Sequence, residues 1–253
     1  PPPRSTLFPY TTLFRSKELG VKVEAFTALN YVGVVEGLGS ARVDFGFIPP
    51  FGYVLANNES KAKVVLTALR KDGLAFYKSQ FIVHKDSGIT SLEELRGKTV
   101  AFVDPTSSSG YLFPGALLKD LGIDLDKDIT AIFAGGHDKA LQAVLNKDVD
   151  AAAVFVDART RYAADFPTAM DDAIVIGYTD PIPNISVTVS SQVSDEMAEK
   201  IAVALLKIAE DPEDAKLLID LFDMHGFVRS TDADYQVIRD VARYMDVDLR
   251  DGN

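Results

Sequence analysis

The chain has 253 residues, 47% of them hydrophobic, and a formal net charge of -11. This composition predicts a globular protein with ample core, and the length fits one large domain or two lobes of about 100–150 residues. The acidic balance argues against nucleic acid and anionic membrane surfaces as partners, and the absence of cysteine excludes disulfides and Cys-based metal or nucleophile chemistry.

The first 16 residues, PPPRSTLFPYTTLFRS, form an unusual segment. It contains TLF twice, is flanked by RS on both sides, and lacks the uninterrupted apolar stretch of a signal peptide. One interpretation is translated adapter DNA, with the natural chain beginning near Lys17, and the other is an ordinary disordered tail. We expect residues 1–16 to be a non-native tail that packs poorly.

Strands and helices are predicted to alternate through the rest of the chain. The predicted strands or extended segments are 21–26, 43–48, 63–69, 77–85, 99–104, 129–134, 150–156, 173–178 and 186–191. The predicted helices are 30–41, one or two turns within 51–58, a capped turn at 91–97, 111–121, 138–146 and 158–165. Three C-terminal helices follow, with starts marked by Ser194, Asp211 and the pair Thr231 and Asp234.

The alternation favours an α/β fold. Strands of continuous apolar character separated by helices are typical of βαβ units and of a parallel sheet covered on both faces. The segments GLGSARVDFGF and VLNKDVDAAAVF share a weak internal similarity, which favours two lobes of similar connectivity. We predict lobe 1 at residues 17–82 and 183–253, lobe 2 at 83–182, and a mostly parallel sheet flanked by helices in each.

Polar residues follow three strands of the predicted second lobe, where ligands bind in open parallel sheets. The segment DPTSSSG follows the first strand, Gly-Gly-His137 the second, and Asp157 the third, with Arg159 and Arg161 just beyond it. One serine is enough to cap a helix, whereas three hydroxyls and a glycine at a helix N-terminus favour anion binding. The serine segment alone leaves both interpretations open, but the convergence of three strand ends favours an anion site.

An enzyme is the alternative, because serine, histidine and aspartate share the same predicted edge. However, TSSSG does not match the G-x-S-x-G nucleophile elbow, and the chain contains neither a P-loop nor an H-E-x-x-H motif. An anion site without an evident nucleophile and base favours a receptor over a phosphoryl hydrolase. We expect no catalytic residue, no cofactor and no metal.

In these segments the chain resembles the substrate-binding proteins of phosphonate, phosphite and phosphate ABC importers. The resemblance covers nearly everything after Ser16 and is most specific in FVDPTSSSGYLFPGALLKDLGID, FAGGHDKALQAVLNKDVDAAAVF, YTDPIPNISVTV and GFVRSTDADY. It implies the two-lobed type II periplasmic-binding-protein fold, with the ligand in the interlobe cleft and closure by hinge motion.

The resemblance also implies roles for individual residues. The expected ligand-binding set is Ser107, Ser108 and Ser109 on the phosphoryl oxygens with Gly110 in the same segment, His137 on the same group, Tyr77 facing the cleft, and Asp157 for a ligand amine. Two departures concern ligand choice. Ile185 stands where relatives often have aspartate, and Ile48 stands near a position where some have tyrosine.

The expected function is extracytoplasmic capture of a small phosphorus oxyanion, in the periplasm or as a lipoprotein on the outer face of the cell membrane. The resemblance implies a membrane permease as partner, and we expect a monomer that binds no nucleic acid. No export signal is present in this chain, so the location follows from the resemblance alone.

Overall fold

The structure is a computed structural model that describes residues 21–24, 31–247 and 249. The expected tail at residues 1–16 and the chain start near Lys17 lie outside the described residues. Of the strand expected at 21–26, the described residues 21–24 are not in a strand, although Val23 is buried in a core. The remainder of that segment is not described.

The described elements follow the predicted order. The helices are α1 (Tyr31–Gly39), α2 (Pro50–Ser60), α3 (Phe113–Asp120), α4 (His137–Leu145), α5 (Ala158–Arg161), α6 (Ala169–Asp172), α7 (Asp195–Glu210), α8 (Pro212–Phe222) and α9 (Gln236–Tyr244). The strands are β1 (Phe45–Ile48), β2 (Lys63–Leu69), β3 (Phe76–Tyr77), β4 (Ser79–His84), β5 (Thr99–Phe102), β6 (Thr130–Phe133), β7 (Ala151–Phe155), β8 (Ala173–Tyr178), β9 (Ile182–Pro183), β10 (Ser186–Val189) and β11 (Gly226–Arg229). Among the described residues, no helix is long and apolar enough to cross a membrane.

The chain forms two compact units. The first comprises the described residues up to 49, Leu55–Ala75 and Asn184–Asp234, and the second comprises Pro50–Val54, Phe76–Pro183 and the described residues from 235 onward. These limits differ from the expected lobe boundaries, because the first turn of α2 and all of α9 lie in the second unit. The division into lobes at 17–82 with 183–253 and 83–182 stays a prediction.

The first unit contains a four-stranded sheet in the order β1-β10-β2-β11. All three neighbouring pairs are antiparallel, so the expectation of a mostly parallel sheet is wrong for the described strands of this unit. The physical reason is that a strand from a distant part of the chain is inserted between two strands that run in the same direction. Strands β1 and β2, which α2 joins, run in the same direction, but β10 lies between them and runs the opposite way.

The second unit contains a five-stranded mixed sheet in the order β6-β5-β7-β4-β8. Strand β5 is parallel to β6 and β7, as expected for βαβ units, whereas β4 is antiparallel to both β7 and β8. Strands β3 and β9 form a separate two-stranded ladder. The ends of β5, β6 and β7 and the beginning of β4 therefore share one edge of the large sheet, which we call the C-terminal edge.

Both faces of the second sheet are covered. Phe81 and Val100 belong to one buried cluster, and their neighbours Ile82 and Ala101 belong to the cluster on the other face. This two-sided burial accounts for the continuous apolar runs in the sequence, since successive side chains of a strand point to opposite faces. In the first unit, the apolar stripe of α7 packs on β2 and β11, as its spacing predicts.

Local capping signals correctly mark helix starts. Ser194 Oγ accepts a hydrogen bond from the Met197 amide at the start of α7, and Asp211 caps α8 ahead of Pro212. Helix lengths were less predictable. Helix α2 has 11 residues rather than one or two turns, and α5 ends at Arg161 rather than 165.

Candidate functional site

The polar segment after β5 folds into an unusual turn. Residues 107–112, which we call the serine turn, contain one π-helical turn (Ser108–Leu112) that leads directly into α3. The Leu112 amide donates to the Ser107 carbonyl at 3.0 Å, five residues back. All three serines of the turn are buried. Single π turns are frequent at functional sites, and this one begins earlier than the helix expected at 111.

Two serine oxygens in the turn accept backbone hydrogen bonds. Ser107 Oγ accepts from the Gly110 amide at 3.0 Å, and Ser108 Oγ accepts from the Phe51 amide at 3.0 Å. Phe51 lies in the first turn of α2, within the same unit. A hydroxyl that accepts from an N–H still has its own O–H to donate. Ser107 therefore caps the turn, and its own O–H is still able to donate.

The back of the serine turn is attached to the sheet. Ser79 Oγ, at the start of β4, hydrogen bonds to the Ser109 carbonyl at 2.5 Å and lies 3.1 Å from the Val154 carbonyl. Asp104 turns inward and accepts from the amide and hydroxyl of Thr106. The one carboxylate in the DPTSSSG segment is thus engaged by its own loop rather than placed against an incoming anion.

Gly110 allows the turn to fold back against the end of β5. A Cβ added to Gly110 would lie 2.3 Å from Val103 Cβ and 2.8 Å from Ser107 Oγ. The Gly110 carbonyl also accepts a hydrogen bond from the Val103 amide at 2.9 Å. The close approach of two backbones requires glycine here, so the role that the structure gives to Gly110 is to shape the turn.

His137 is the first residue of α4 and lies at the end of the loop after β6. Its Nδ1 accepts a hydrogen bond from the Phe155 amide at 3.3 Å, and its ring packs edge-to-face on Phe155, 4.9 Å between centroids. Burial lowers the pKa of His137 to about 4, with Asp138 opposing the shift weakly. The imidazole is therefore neutral at pH 7, and because Nδ1 accepts, its proton is on Nε2, which can donate.

The remaining expected residues also lie in the second unit. Asp157 is partly buried at the start of α5, two residues beyond the end of β7. Tyr77 is partly buried in β3, where it pairs with Ile182 two residues before β4 begins. The structure thus places the serine turn, His137 and Asp157 at the C-terminal edge, with Tyr77 close to it in sequence. That these residues bind a ligand stays a prediction.

Arg159 does not belong to this edge, contrary to expectation. Its Nη1 donates to the Ala173 carbonyl at 2.9 Å. Ala173 begins β8 and pairs with His84, whereas Tyr178 at the other end of β8 pairs with Gln80 near the C-terminal edge. The guanidinium group is thus directed toward the opposite end of the sheet, where it supports the fold.

Sequence reasoning missed two groups that contact the predicted site residues and a third that contacts Phe155, the partner of His137. These are the Phe51 amide, the Ser79 hydroxyl and Gln80, which is fully buried and donates through Nε2 to the Phe155 carbonyl at 3.4 Å. The one usable signal was the polar pair Ser-Gln directly before the apolar FIV of β4. Buried polar side chains normally have hydrogen-bond partners, so a polar pair ahead of a buried strand needs an explanation.

The two positions at which the resemblance suggests a departure, Ile48 and Ile185, lie in the first unit. Ile48 is fully buried, and its carbonyl accepts a hydrogen bond from Ser186 Oγ at 3.0 Å. Ile185 packs against the core of the same unit. Both positions therefore have apolar side chains where the resemblance suggests polar ones. Within the described residues, no group of three or more His, Cys, Asp or Glu side chains could hold a metal ion.

Comparison with known proteins gives the family. The family model for the periplasmic substrate-binding protein of phosphonate ABC transporters matches residues 15–235. The chain belongs to this family. The resemblance noted in the sequence is confirmed, and the match includes the serine turn, His137 and Asp157.

Named relatives and a solved structure agree with this assignment. The phosphate-import protein PhnD of Mycolicibacterium smegmatis is 40% identical over 149 residues, 55% of this chain and 46% of that protein. The phosphonates-binding periplasmic protein of Escherichia coli is 28% identical over 235 residues, 91% of this chain and 69% of that protein. The chain therefore spans about half of the mycobacterial relative. A phosphonate-transporter binding protein from Pseudomonas aeruginosa has TM-score 0.85 and 26% identity, covering 96% of this chain and 82% of that one.

These comparisons confirm the two-lobed α/β periplasmic-binding-protein fold class. The pairing within the sheets is mixed rather than mostly parallel, as described above. The names of the three proteins describe binding or import, and none of the three is named as an enzyme.

The close contact between Gly110 and Val103 leads to a prediction about stability. Gly110→Ala places a methyl group 2.3 Å from Val103 Cβ, so the free energy of unfolding should fall by at least about 2 kcal/mol. Urea denaturation measures the change. Gly39→Ala is the matched control, because its new Cβ would come no closer than 3.4 Å to a neighbouring atom. Equal stabilities for the two variants would contradict the argument.

The buried imidazole makes a prediction about pH. In the unfolded chain His137 takes up a proton below about pH 6.5, whereas the folded protein resists protonation until about pH 4. The contribution of His137 to stability is therefore fully present above pH 6.5 and is lost as the pH falls toward 4. The free energy of unfolding should decline less steeply over this range in His137→Gln than in wild type. Parallel curves in urea denaturation would refute the assignment.

Proposed function

We propose that this chain is an extracytoplasmic solute-binding protein that captures a small phosphorus oxyanion, namely phosphite, phosphate or a small alkylphosphonate, for an ABC importer. One observation carries the proposal. Ser107 and Ser108 each accept a backbone N–H bond, so that both hydroxyl protons remain to be donated. A π turn that presents such hydroxyls at the end of a parallel strand suits a group with several acceptor oxygens.

The proposed recognition relies on neutral donors rather than on charge. The chain carries a net charge of -11, so long-range attraction does not favour an anion. The Arg159 guanidinium is turned to the other end of the sheet, and His137 is neutral with a donor Nε2–H. Hydrogen bonds to an ionised acceptor are shorter and stronger than neutral ones, so a set of neutral donors is sufficient to hold a desolvated oxyanion.

The same geometry disfavours the hydrolase alternative. A serine nucleophile needs an adjacent group that takes its proton. In His137 the Nδ1 lone pair is engaged by the Phe155 amide and Nε2 carries the proton, so neither nitrogen is available as the base. Binding without chemistry also fits the family to which the chain belongs.

The proposed partners follow from the family description. A periplasmic substrate-binding protein of an ABC transporter acts outside the cytoplasm and delivers its ligand to a membrane permease. We extend both properties to this chain, as a free periplasmic protein or a lipoprotein, and propose that it acts as a monomer.

The serine hydroxyls should contribute directly to affinity. Two hydrogen bonds to a charged group are worth about 1.5–3 kcal/mol each, so Ser107→Ala/Ser109→Ala should weaken binding of methylphosphonate, phosphite or phosphate by roughly two to four powers of ten. Isothermal titration calorimetry measures the loss. Because Ser107 also caps the turn, the melting temperature and the single variant Ser109→Ala are recorded alongside.

The control for this experiment is Ser40→Ala/Ser91→Ala. Ser40 follows α1 in the first unit, where its Oγ donates to the Glu36 carbonyl, and Ser91 precedes the short helical turn Glu93–Leu95. This control should bind as wild type does. Unchanged affinity in the Ser107→Ala/Ser109→Ala variant would show that these residues have only a structural role.

The ligand should be compact rather than aminated. At the two positions where the resemblance places carboxylates for a ligand amine, this chain has Asp157 and Ile185. A buried ammonium with too few acceptors is costly. At least one of phosphite, phosphate and methylphosphonate should therefore bind at least about tenfold more tightly than 2-aminoethylphosphonate. Titration with all four tests this, and Ile185→Asp should shift the preference toward the amine. Tightest binding of the amine by wild type would overturn it.

A further inference from the structure

Gln80 carries an acceptor that the fold leaves without a partner. The residue is 0% exposed, and its Oε1 has no hydrogen-bond partner in the structure described for residues 21–24, 31–247 and 249. The orientation of the carboxamide is fixed at its other end, because Nε2 donates to the Phe155 carbonyl at 3.4 Å. A buried polar atom without a partner costs about 1–3 kcal/mol, so its retention requires an explanation.

The location of Gln80 points to the proposed ligand. Its neighbour Ser79 donates to the Ser109 carbonyl of the serine turn. Its own carboxamide contacts the Phe155 carbonyl, and the Phe155 amide donates to His137 Nδ1. Gln80 is thus linked to the serine turn through Ser79 and to His137 through Phe155. Both links lie at the C-terminal edge of the sheet.

The chemistry of the orphan atom differs from that of the donors proposed to hold the oxyanion. The hydroxyls of Ser107 and Ser108 and the Nε2–H of His137 are donors, which suit the unprotonated oxygens of an anion. Gln80 Oε1 is a carbonyl oxygen and can only accept. A fully deprotonated oxyanion offers it nothing but lone pairs, whereas a phosphorus oxyanion that retains one P–OH offers a donor.

Resting on the proposed function, we infer that Gln80 is a specificity-determining residue whose Oε1 accepts a hydrogen bond from the P–OH of a monoprotonated phosphorus oxyanion. The site thereby rejects tetrahedral oxyanions that have no proton to donate, sulfonates and sulfate among them. The unpaired acceptor of the ligand-free protein is satisfied by the bound ligand. The unpaired oxygen lowers the stability of the ligand-free protein but increases selectivity. A site with an unpaired buried group strongly rejects the analogue that cannot pair with it.

Two ligands of the same shape, methylphosphonate and methanesulfonate, test whether Gln80 selects for the P–OH group. Near about pH 5.5, below the second ionisation of a phosphoryl group at about 6, methylphosphonate is a monoanion with one P–OH. Methanesulfonate has the same shape and charge without that proton. By calorimetry, wild type should bind methylphosphonate at least about tenfold more tightly than methanesulfonate.

The test variant is Gln80→Met, which keeps the length of the side chain and removes the acceptor. It should weaken methylphosphonate binding by about tenfold to a hundredfold and bring the ratio between the two probes close to one. The ligand-free melting temperature should stay equal or rise, because the orphan oxygen has been removed from the core. Gln142→Met is the matched control, since Gln142 is exposed on α4, and it should retain the wild-type ratio.

Three outcomes overturn the inference, and they are distinguishable. A wild-type ratio between the probes in Gln80→Met would show that Oε1 does not select the ligand. Equal weakening of both probes together with a lower melting temperature would show that Gln80 is only structural. Failure of wild type to bind any of phosphite, phosphate and methylphosphonate would overturn the proposed function itself, independently of Gln80.

Discussion

The hydrogen bond from the Gly110 amide to Ser107 Oγ is the interaction on which the proposed site depends. It closes the serine turn on itself and leaves the Ser107 proton to be donated outward. The bond forms only because Gly110 has no Cβ, which lets the turn fold back within contact of Val103. A single small residue thus sets the backbone path, and the backbone path sets the direction of the hydroxyls.

The sheet holds this turn in place through an inserted strand. Strand β4 enters between β7 and β8 and runs opposite to both, so its first residues arrive at the C-terminal edge where the parallel strands end. Ser79 can therefore hold the Ser109 carbonyl from behind. A purely parallel sheet would begin each strand at the far edge and could not place side chains from a strand start beside the serine turn. The mixed pairing is thus directly connected to the proposed function.

Neutral hydrogen-bond donors would allow this strongly acidic protein to bind an anion without a cluster of positive charges. A ligand held by hydrogen bonds from hydroxyls, amides and a neutral imidazole gains specificity from the number and direction of the donors. Burial keeps the pKa of His137 near 4, so its protonation state does not change across the ordinary range of pH. The unpartnered acceptor Gln80 Oε1 adds a requirement for a proton on the ligand.

Features that depend on residues close together in the chain could be predicted from the sequence alone. Apolar runs located the strands, and Ser194 and Asp211 marked helix starts, because a cap bonds to amides only two or three residues away. Polar residues after three strands predicted the edge at which the proposed site lies. The family resemblance in the same segments identified the fold class and the ligand class, which periodicity alone could not have done.

Only the tertiary structure decided which strands are neighbours and where the polar groups point. The βαβ pattern was correct, but adjacency depends on strands that enter from distant parts of the chain, as β10 and β4 do. Arg159 followed the expected strand end and nevertheless turned to Ala173 at the opposite edge. The donor state of Ser108 depends on Phe51, 57 residues away, and the burial of Gln80 depends on two flanking strands. These properties arise from contacts between residues far apart in sequence, and no local pattern of residues encodes them.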